Sequence, residues 1–159
     1  MTEPGLLNEH EARAWYAFVG AAVSLDRRLD QQLKEDSGIT HLQYVVLVRL
    51  DSAPDREMRM GALAETLHTT KSGLTYQIAQ LEKAGLVRRR GCSGDPRAVY
   101  AVLTDDGRRM LEQAAPGHIA AVREFFLEAF TPEQLAVLAD GLNEVARRAR
   151  GEGAPSVTR

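Results

Sequence analysis

The stretch RRRGCSGDPRAVYAVLT, residues 88–104, places strong positive charge beside turn-forming residues in a chain whose net charge is only −2. Three consecutive arginines precede a tip rich in Gly, Ser, Asp and Pro, and a further arginine, Arg97, follows this tip. Guanidinium groups bind phosphate oxygens and the acceptor atoms of DNA bases. These residue types therefore indicate an anion-binding hairpin.

Positive charge is concentrated in the middle third of the chain. Residues 58–103 contain seven Lys and Arg against three Asp and Glu, which gives this segment +4, while the other residues together carry −6. A basic segment within an acidic chain is expected of an anion-binding module held on a scaffold that does not bind anions. Charge alone leaves open a second interpretation, a solvated basic face without a partner.

The composition excludes several classes of protein. Of 159 residues, 44% are hydrophobic and 26% are charged, as in an ordinary globular protein. Cys92 is the only cysteine, so neither an intramolecular disulfide nor a cysteine-rich zinc site can form, and the four histidines lack the spacing of a metal site. No phosphate-binding loop, G-x-S-x-G, H-E-x-x-H or suitably spaced carboxylate pair is present. We therefore expect no catalytic residue, no metal and no cofactor.

The location expected from the sequence is the cytoplasm. The first residues, MTEPGLLNEHEARA, lack the basic and apolar segments of a secretory signal, and no apolar run approaches the length of a membrane span. A single cysteine suits a reducing compartment.

Hydrophobic periodicity predicts the elements that position the basic hairpin. A long amphipathic helix is expected from Glu9 to Glu35, and the capping-box pair Thr40 and Gln43 favours a helix over a buried strand for LQYVVLVRL. SAPDRE, residues 52–57, is typical of a turn-rich connector. MGALAETL and a helix from about Thr70 to Ala84 form a helix-turn-helix pattern, with Leu74, Ile78 and Leu81 as core. LVRRR and AVYAVLT are predicted strands around the loop GCSGDPR.

The predicted fold is therefore mainly α with a small β-wing, a winged helix-turn-helix flanked by dimerisation helices. Thr104 is expected to cap one later helix, and Thr131 with Pro132 and Gln134 to begin the last. We predict a DNA-binding lobe over residues 37–104, dimerisation helices over 1–36 and 105–148, and a flexible tail over 149–159. The predicted dimer interface contains Leu6, Leu7, Phe125, Phe126, Phe130, Leu135 and Leu138. The alternative is that these helices complete the core of a monomer.

The segment KSGLTYQIAQLEKAGLVRRRGCSGDPRAVYAVLTDDGRRML closely resembles the MarR family of bacterial transcription regulators. Its most specific parts are LTYQIAQLEKAGLV, the D-P-R of the wing and LTDDG at the start of the next helix, and the likeness extends from about Glu9 to Arg148. The resemblance implies a homodimer that inserts the second helix of each helix-turn-helix into the major groove and each wing into a minor groove. It also implies a repressor that is released from double-stranded DNA by a small aromatic or phenolic effector.

By position, the resemblance assigns twelve residues to DNA. They are Thr69, Thr70, Lys71, Ser72, Thr75, Tyr76, Gln77, Gln80, Arg88, Arg90, Asp95 and Arg97. Arg97 is expected to enter the minor groove, with its guanidinium held by Asp95, and the alternative role of Asp95 and Pro96 is that of ordinary turn residues. Family members commonly carry arginine where this chain has Tyr76, and tyrosine cannot make the bidentate guanine contact of arginine. Three consecutive strand residues cannot all face DNA, because alternate side chains point to opposite faces.

The resemblance also implies an effector pocket, for which the candidate ligand-binding residues are Trp15, Tyr16, His41, Tyr44 and His118. For Trp15 and Tyr44, the alternative is ordinary packing in the core or at the dimer interface. Cys92 in the wing is interpreted as a bystander thiol rather than as a redox sensor. For the whole chain, the alternative function is a winged-helix module that binds proteins and has no specific affinity for DNA.

Overall fold

Six α-helices, two 3₁₀ helices of three residues each and a small antiparallel sheet form the part of the chain that the computed structural model describes, residues 6–151 without the side chain of Pro96. The helices are α1 (Glu9–Ser37), α2 (His41–Asp51), α3 (Met60–Thr66), α4 (Lys71–Lys83), α5 (Asp105–Phe125) and α6 (Pro132–Ala149). The strands are β1 (Glu57–Arg59), β2 (Val87–Cys92) and β3 (Asp95–Leu103), paired in the order β1-β3-β2. This architecture confirms the predicted fold class, a mainly helical chain with a β-wing.

The described chain divides after Ala121 into two compact units, and the predicted lobe over residues 37–104 lies within the first. The tail predicted over 149–159 begins at the last residue of α6, and residues 152–159 lie outside the described part of the chain. Among the described residues, every helix is too short or too polar to cross a membrane.

Local capping interactions set the boundaries of the helices, as the sequence predicts. Thr40 accepts the backbone N–H of Gln43 through its hydroxyl at 3.1 Å, and the Gln43 side chain accepts the N–H of Thr40 at 3.0 Å. The same reciprocal pair forms between Thr131 and Gln134 at the start of α6. α1 ends at Ser37 and is followed by the capping residue Gly38, whose φ of 70° is left-handed and therefore favours glycine.

The core of the first unit lies beneath α4 and the wing. Its largest fully buried side chains are Leu33, Val46, Leu47, Leu50, Leu63, Leu74, Ile78, Leu81 and Val87. The predicted core residues of α4 are thereby confirmed. Because one face of α4 is anchored in this core, its opposite face is presented to solvent in a defined orientation.

The wing is more extensively paired than the sequence predicts. β2 continues to Cys92 and β3 begins at Asp95, so the turn contains only two residues instead of the seven predicted. The prediction that SAPDRE is a connector without regular strands is wrong at its last residue. Glu57 begins β1 and pairs with Val102 of β3. A three-residue strand depends on a partner more than forty residues away, so local turn propensity hides it.

Packing at the start of α5 explains the threonine and the glycine of the LTDDG motif. The Thr104 hydroxyl accepts the N–H of Gly107 at 3.0 Å and donates to the carbonyl of Gly85 at 2.7 Å, which confirms the predicted cap. A Cβ at Gly107 would clash with the carbonyl oxygen of Leu86. Glycine is therefore required where α5 passes against the residue that precedes β2.

Candidate nucleic-acid interface

The outer face of α4 is polar and exposed, as a recognition helix requires. Thr70 caps the helix by accepting the N–H of Gly73 at 3.0 Å, and Lys71, Ser72, Thr75 and Gln80 are exposed. Tyr76 is 62% exposed, so its ring and hydroxyl are accessible to a partner. The hydroxyl of Thr75 donates to the carbonyl of Lys71 at 2.8 Å, so that side chain is oriented along its own helix.

A basic cleft of about 640 Å³ separates α4 from the wing. Its lining includes four cationic side chains, those of Arg59, Lys71, Arg89 and Arg97, and one acidic side chain, that of Glu65. In the described part of the chain, Lys71 and Arg97 form no salt bridge, so both charges are available to an anion. The cleft therefore has the charge and the position to hold a phosphate group.

Arg89 ties the wing to the recognition helix. Glu82, near the end of α4, accepts hydrogen bonds from the Nε of Arg89 at 2.8 Å and from its backbone N–H at 3.0 Å. These bonds lower the pKa of Glu82 below its ordinary value, so the carboxylate stays ionised. Arg89 lines the cleft, although it is not one of the twelve residues assigned to DNA above.

The consecutive arginines are divided between the two faces of the hairpin, as strand geometry predicts. Arg90 pairs with Glu57 through two hydrogen bonds of 2.5 and 3.1 Å, and its guanidinium lies 4.9 Å from the centre of the Tyr100 ring. Arg88 and Arg90 share the face opposite Arg89. DNA contact by Arg88 and Arg90 stays a prediction, whereas Arg89 lies with Arg97 at the cleft.

Asp95 does not hold the guanidinium of Arg97, so that prediction is wrong. One of its carboxylate oxygens accepts the backbone N–H of Arg97 at 2.9 Å, and the other accepts from the guanidinium of Arg59 at 2.7 Å. An aspartate readily bonds to the backbone two residues ahead in a turn, and this geometry directs its second oxygen toward β1. Asp95 therefore fastens the wing tip to the residue that precedes α3.

Gln77 is fastened to α2. Its side-chain oxygen accepts a hydrogen bond of 3.0 Å from the side-chain amide of Gln43, the residue that also caps α2. Gln77 is half-buried, in contrast to the exposed Ser72 and Tyr76 on the outer face. This contact spans 34 residues in sequence, and sequence spacing contains no signal for it.

Three of the five predicted ligand-binding residues meet where α1, α2 and α5 pack. The ring of His118 lies 4.4 Å from that of buried Tyr44 and 5.4 Å from that of His41, measured between centres. His41 is hydrogen-bonded to Asp26 at 2.8 Å. Burial lowers the pKa of His118, with a smaller contribution from His41, and burial raises the pKa of Tyr44. The imidazole of His118 is therefore neutral at pH 7.

Two polar atoms near this cluster are buried without a hydrogen-bond partner among the described residues. They are Nδ1 of His118 and Oε1 of Gln32. Gln32 belongs to the same region, because its amide nitrogen would lie 3.3 Å from a Cβ placed on Gly117. Unpaired buried polar atoms are costly, which makes this cluster a candidate position for a polar ligand.

Trp15 and Tyr16 do not join this cluster. They are 54% and 70% exposed, and Trp15 precedes Asp26 on α1 by eleven residues, which is roughly 16 Å along a helix. Trp15 lies instead beside Phe18, with ring centres 6.3 Å apart. The sequence therefore grouped two separate features, an aromatic surface on the first half of α1 and the histidine cluster.

Apolar side chains remain exposed on the terminal helices. On α1 they include Phe18, Val19 and Val23, and α6 has Val137 at 74% exposure and no buried residue. Of the predicted interface residues, Leu6, Leu7 and Phe125 are exposed, while Phe126, Phe130, Leu135 and Leu138 are half-buried. Phe126 and Phe130 contact each other edge-to-face at 5.4 Å.

Comparison with known proteins identifies the family. The sequence model of the MarR family matches residues 39–99. The crystal structure of Sco3205, a MarR family transcriptional regulator from Streptomyces coelicolor in complex with DNA, is 40% identical to this chain with a TM-score of 0.87, and the match covers 92% of each chain. The chain belongs to the MarR family. It is thus a transcriptional regulator of the DNA-binding, winged-helix kind, not an enzyme.

Further similar proteins have lower sequence identity to this chain. AbsC, a MarR family transcriptional regulator from S. coelicolor, is 36% identical with a TM-score of 0.86, over 92% of this chain and 98% of that one. The transcriptional repressor YetL of Bacillus subtilis is 27% identical over 111 residues, which are 70% of this chain and 66% of that protein. The match to the repressor MprA of Escherichia coli covers 60% of its length, so this chain spans less than two thirds of both curated repressors.

Proposed function

We propose that this MarR-family chain is a homodimeric transcriptional repressor that binds a pseudo-palindromic operator through α4 and the wing. The basic cleft between these two elements carries the proposal. A sugar-phosphate strand separates each major groove from the adjacent minor groove. If α4 enters the major groove and Arg97 the minor groove, that strand must pass through the cleft, where Lys71 and Arg97 have no acidic partner among the described residues.

Base recognition is assigned to the exposed residues of α4. Ser72, Tyr76 and Gln80 can reach base edges, while Thr69 and Thr70 lie beside the start of the helix, where backbone N–H groups attract phosphate. The lack of an arginine at Tyr76 removes one bidentate guanine contact. A larger share of affinity then comes from phosphate contacts, which do not depend on sequence.

A homodimer is supported by the apolar faces that the single chain leaves exposed. A second copy would cover Trp15 and Val23 on α1 and Val137 on α6, and would bury the predicted interface residues with them. Two-fold symmetry would also place two recognition helices one helical turn apart on DNA. The curated relatives YetL and MprA are named as repressors, which supports repression as the direction of control.

The histidine cluster is proposed as the effector site. A neutral His118 with an unpaired buried Nδ1 can accept a hydrogen bond from a phenol or a carboxylic acid, and the rings of Tyr44 and His41 offer faces for an aromatic ring. His41 lies in the first turn of α2, the helix whose Gln43 contacts α4. An effector that displaced α2 would therefore also displace the recognition helix.

The first experiment is a fluorescence-anisotropy titration of labelled duplexes tiling the DNA upstream of the chain's own gene, at several salt concentrations. We expect tight binding to one tile, with log K falling steeply with log salt. Arg97→Ala should weaken that binding about tenfold and reduce the salt slope by about one. Arg108→Ala, which removes the same charge from the outer face of α5, serves as the matched control and should bind as the unchanged protein does.

Equal binding of Arg97→Ala and Arg108→Ala would contradict the placement of the wing. Absence of binding to every duplex at low salt would favour the protein-interaction module instead. Once the bound tile is known, small aromatic acids and phenols can be screened for release of the protein from it, and His118→Phe should abolish the response to an active compound.

A further inference from the structure

The hydrogen bonds around Gln43 determine which end of the Gln77 amide contacts α2 and which end stays unpaired. The backbone N–H of Thr40 can only donate, so the atom of Gln43 that lies 3.0 Å from it must be the side-chain oxygen. The NH₂ group of Gln43 therefore points the other way, toward Gln77. An NH₂ group can only donate, so Gln77 must turn its own oxygen toward Gln43, in agreement with the observed distance of 3.0 Å.

This orientation follows from donor and acceptor chemistry alone. Amide oxygen and nitrogen atoms are similar in size, and their assignment usually rests on the surrounding hydrogen bonds. Here the chain of bonds begins at a backbone N–H, whose role is fixed, and passes through two amides without ambiguity. Within residues 6–151, the hydrogen bond to Gln43 is the one bond of the Gln77 side chain, and it uses the oxygen, so the NH₂ group has no partner there.

We propose that Gln43 is a specificity-determining residue, which positions Gln77 so that its NH₂ group faces the major groove as a donor. This inference rests on the proposed function, in which α4 occupies that groove. A donor selects base edges that accept, such as O6 and N7 of guanine or O4 of thymine. Gln43 touches no base in this arrangement and acts only through Gln77.

Replacing Gln43 with glutamate reverses the arrangement while it preserves the helix cap. Glutamate at this position completes the same capping box with Thr40 and lies favourably near the start of α2. Both oxygens of the introduced carboxylate accept hydrogen bonds, so Gln77 must turn its NH₂ group toward α2 and its oxygen toward DNA. The variant should then prefer bases that donate, adenine through N6 and cytosine through N4.

The test measures the binding of Gln43→Glu and of the unchanged protein to the bound duplex and to every single-base-pair variant of it. At one base pair in each half-site, we expect the preference to change from an accepting to a donating base, by about tenfold in relative affinity. Arg49→Gln is the matched control, since it changes the net charge of α2 by the same amount at an exposed position. It should leave the base preferences unchanged.

A second measurement needs no DNA and therefore separates this inference from the proposed function. In ¹⁵N-labelled protein, the side-chain NH₂ resonances of Gln77, assigned with Gln77→Ala, should move downfield in Gln43→Glu, because they then donate to a carboxylate. Base preferences that stay the same in Gln43→Glu, or Gln77 resonances that do not move, would overturn the inference. If the unchanged protein lacked any sequence preference, the proposed function would fail and the resonances alone would decide the orientation.

Discussion

The DNA-binding lobe and the terminal helices of this chain differ in how far one chain alone buries their apolar side chains. In the lobe, Leu50, Leu63 and Ile78 are fully buried within one chain, and the polar side chains of α4 remain outside. α6 has no buried residue, and its Val137 is among the most exposed apolar side chains described. An element that leaves its apolar face uncovered in one chain is expected to find its cover in another. The apolar residues of the lobe are thus covered within one chain, with help from Leu33 of α1, whereas we propose that a second copy covers the exposed apolar residues of the terminal helices.

The largest effect that we predict follows from a charge placed on the apolar face of α6. Val137→Asp should weaken self-association about a hundredfold, because the carboxylates would have to leave water without a partner. Asn143→Asp adds the same charge on the polar side of α6 and should have little effect. Sedimentation equilibrium measures both. Equal association of the two variants would show that this face of α6 is not an interface. It would contradict the proposal that a second copy covers the terminal helices.

A smaller effect, with an informative sign, is expected from Asp95→Asn in the wing. If Asp95 acted only through its charge, its removal beside DNA would strengthen binding. We predict instead a roughly two- to fivefold loss of affinity, because the loss of its pair with Arg59 loosens the tip that presents Arg97, and partly exposed ion pairs contribute up to about 1 kcal/mol. Anisotropy titration decides the sign, and Asp140→Asn on α6 controls for net charge. Tighter binding by Asp95→Asn would refute the positioning role.

The smallest predicted effect is a pH dependence that arises from His118. Its folded-state pKa lies below the ordinary value of 6.5, so the unfolded chain takes up the proton first as the pH falls. The stabilising contribution of the neutral ring is thus complete above about pH 6.5 and is lost as the pH falls toward the folded-state pKa. The groups that face this ring are His41, with its partner Asp26, and Tyr44.

Urea titrations between pH 5 and pH 8 measure this effect as the change in the free energy of unfolding. His118→Gln should flatten the profile on the acidic side of pH 6.5, while the same substitution at exposed His10 should leave its slope unchanged. A profile for His118→Gln as steep as that of the unchanged protein would assign the pH dependence to other groups.

Features that depend on neighbouring residues could be predicted from the sequence. Helix geometry places interacting residues three or four positions apart in sequence. The capping boxes at Thr40 and Thr131 and the core positions of α4 can therefore be recognised from their spacing. The sequence does not reveal β1, because this strand exists only through its pairing with β3, and Arg59 and Glu57 acquire their roles only through that pairing.

The candidate site divides in the same way. The family resemblance predicted the recognition helix, and it placed His41, Tyr44 and His118 at one site, although it grouped Trp15 and Tyr16 with them. They did not reveal that Asp95 holds Arg59, that Arg89 holds Glu82, or that Gln43 holds Gln77. The first and last of these pairs are 36 and 34 residues apart in sequence, so only the folded chain brings them together.

The most direct test of the division between the two regions is the number of chains that bind one operator. Sedimentation velocity of the protein mixed with a labelled duplex that contains the bound tile gives this number from the mass of the complex. We predict two chains on each duplex, and we expect Val137→Asp to lower the affinity of the full site far more than that of a single half-site. One chain on each duplex at saturation, with equal effects of Val137→Asp on both sites, would contradict these predictions.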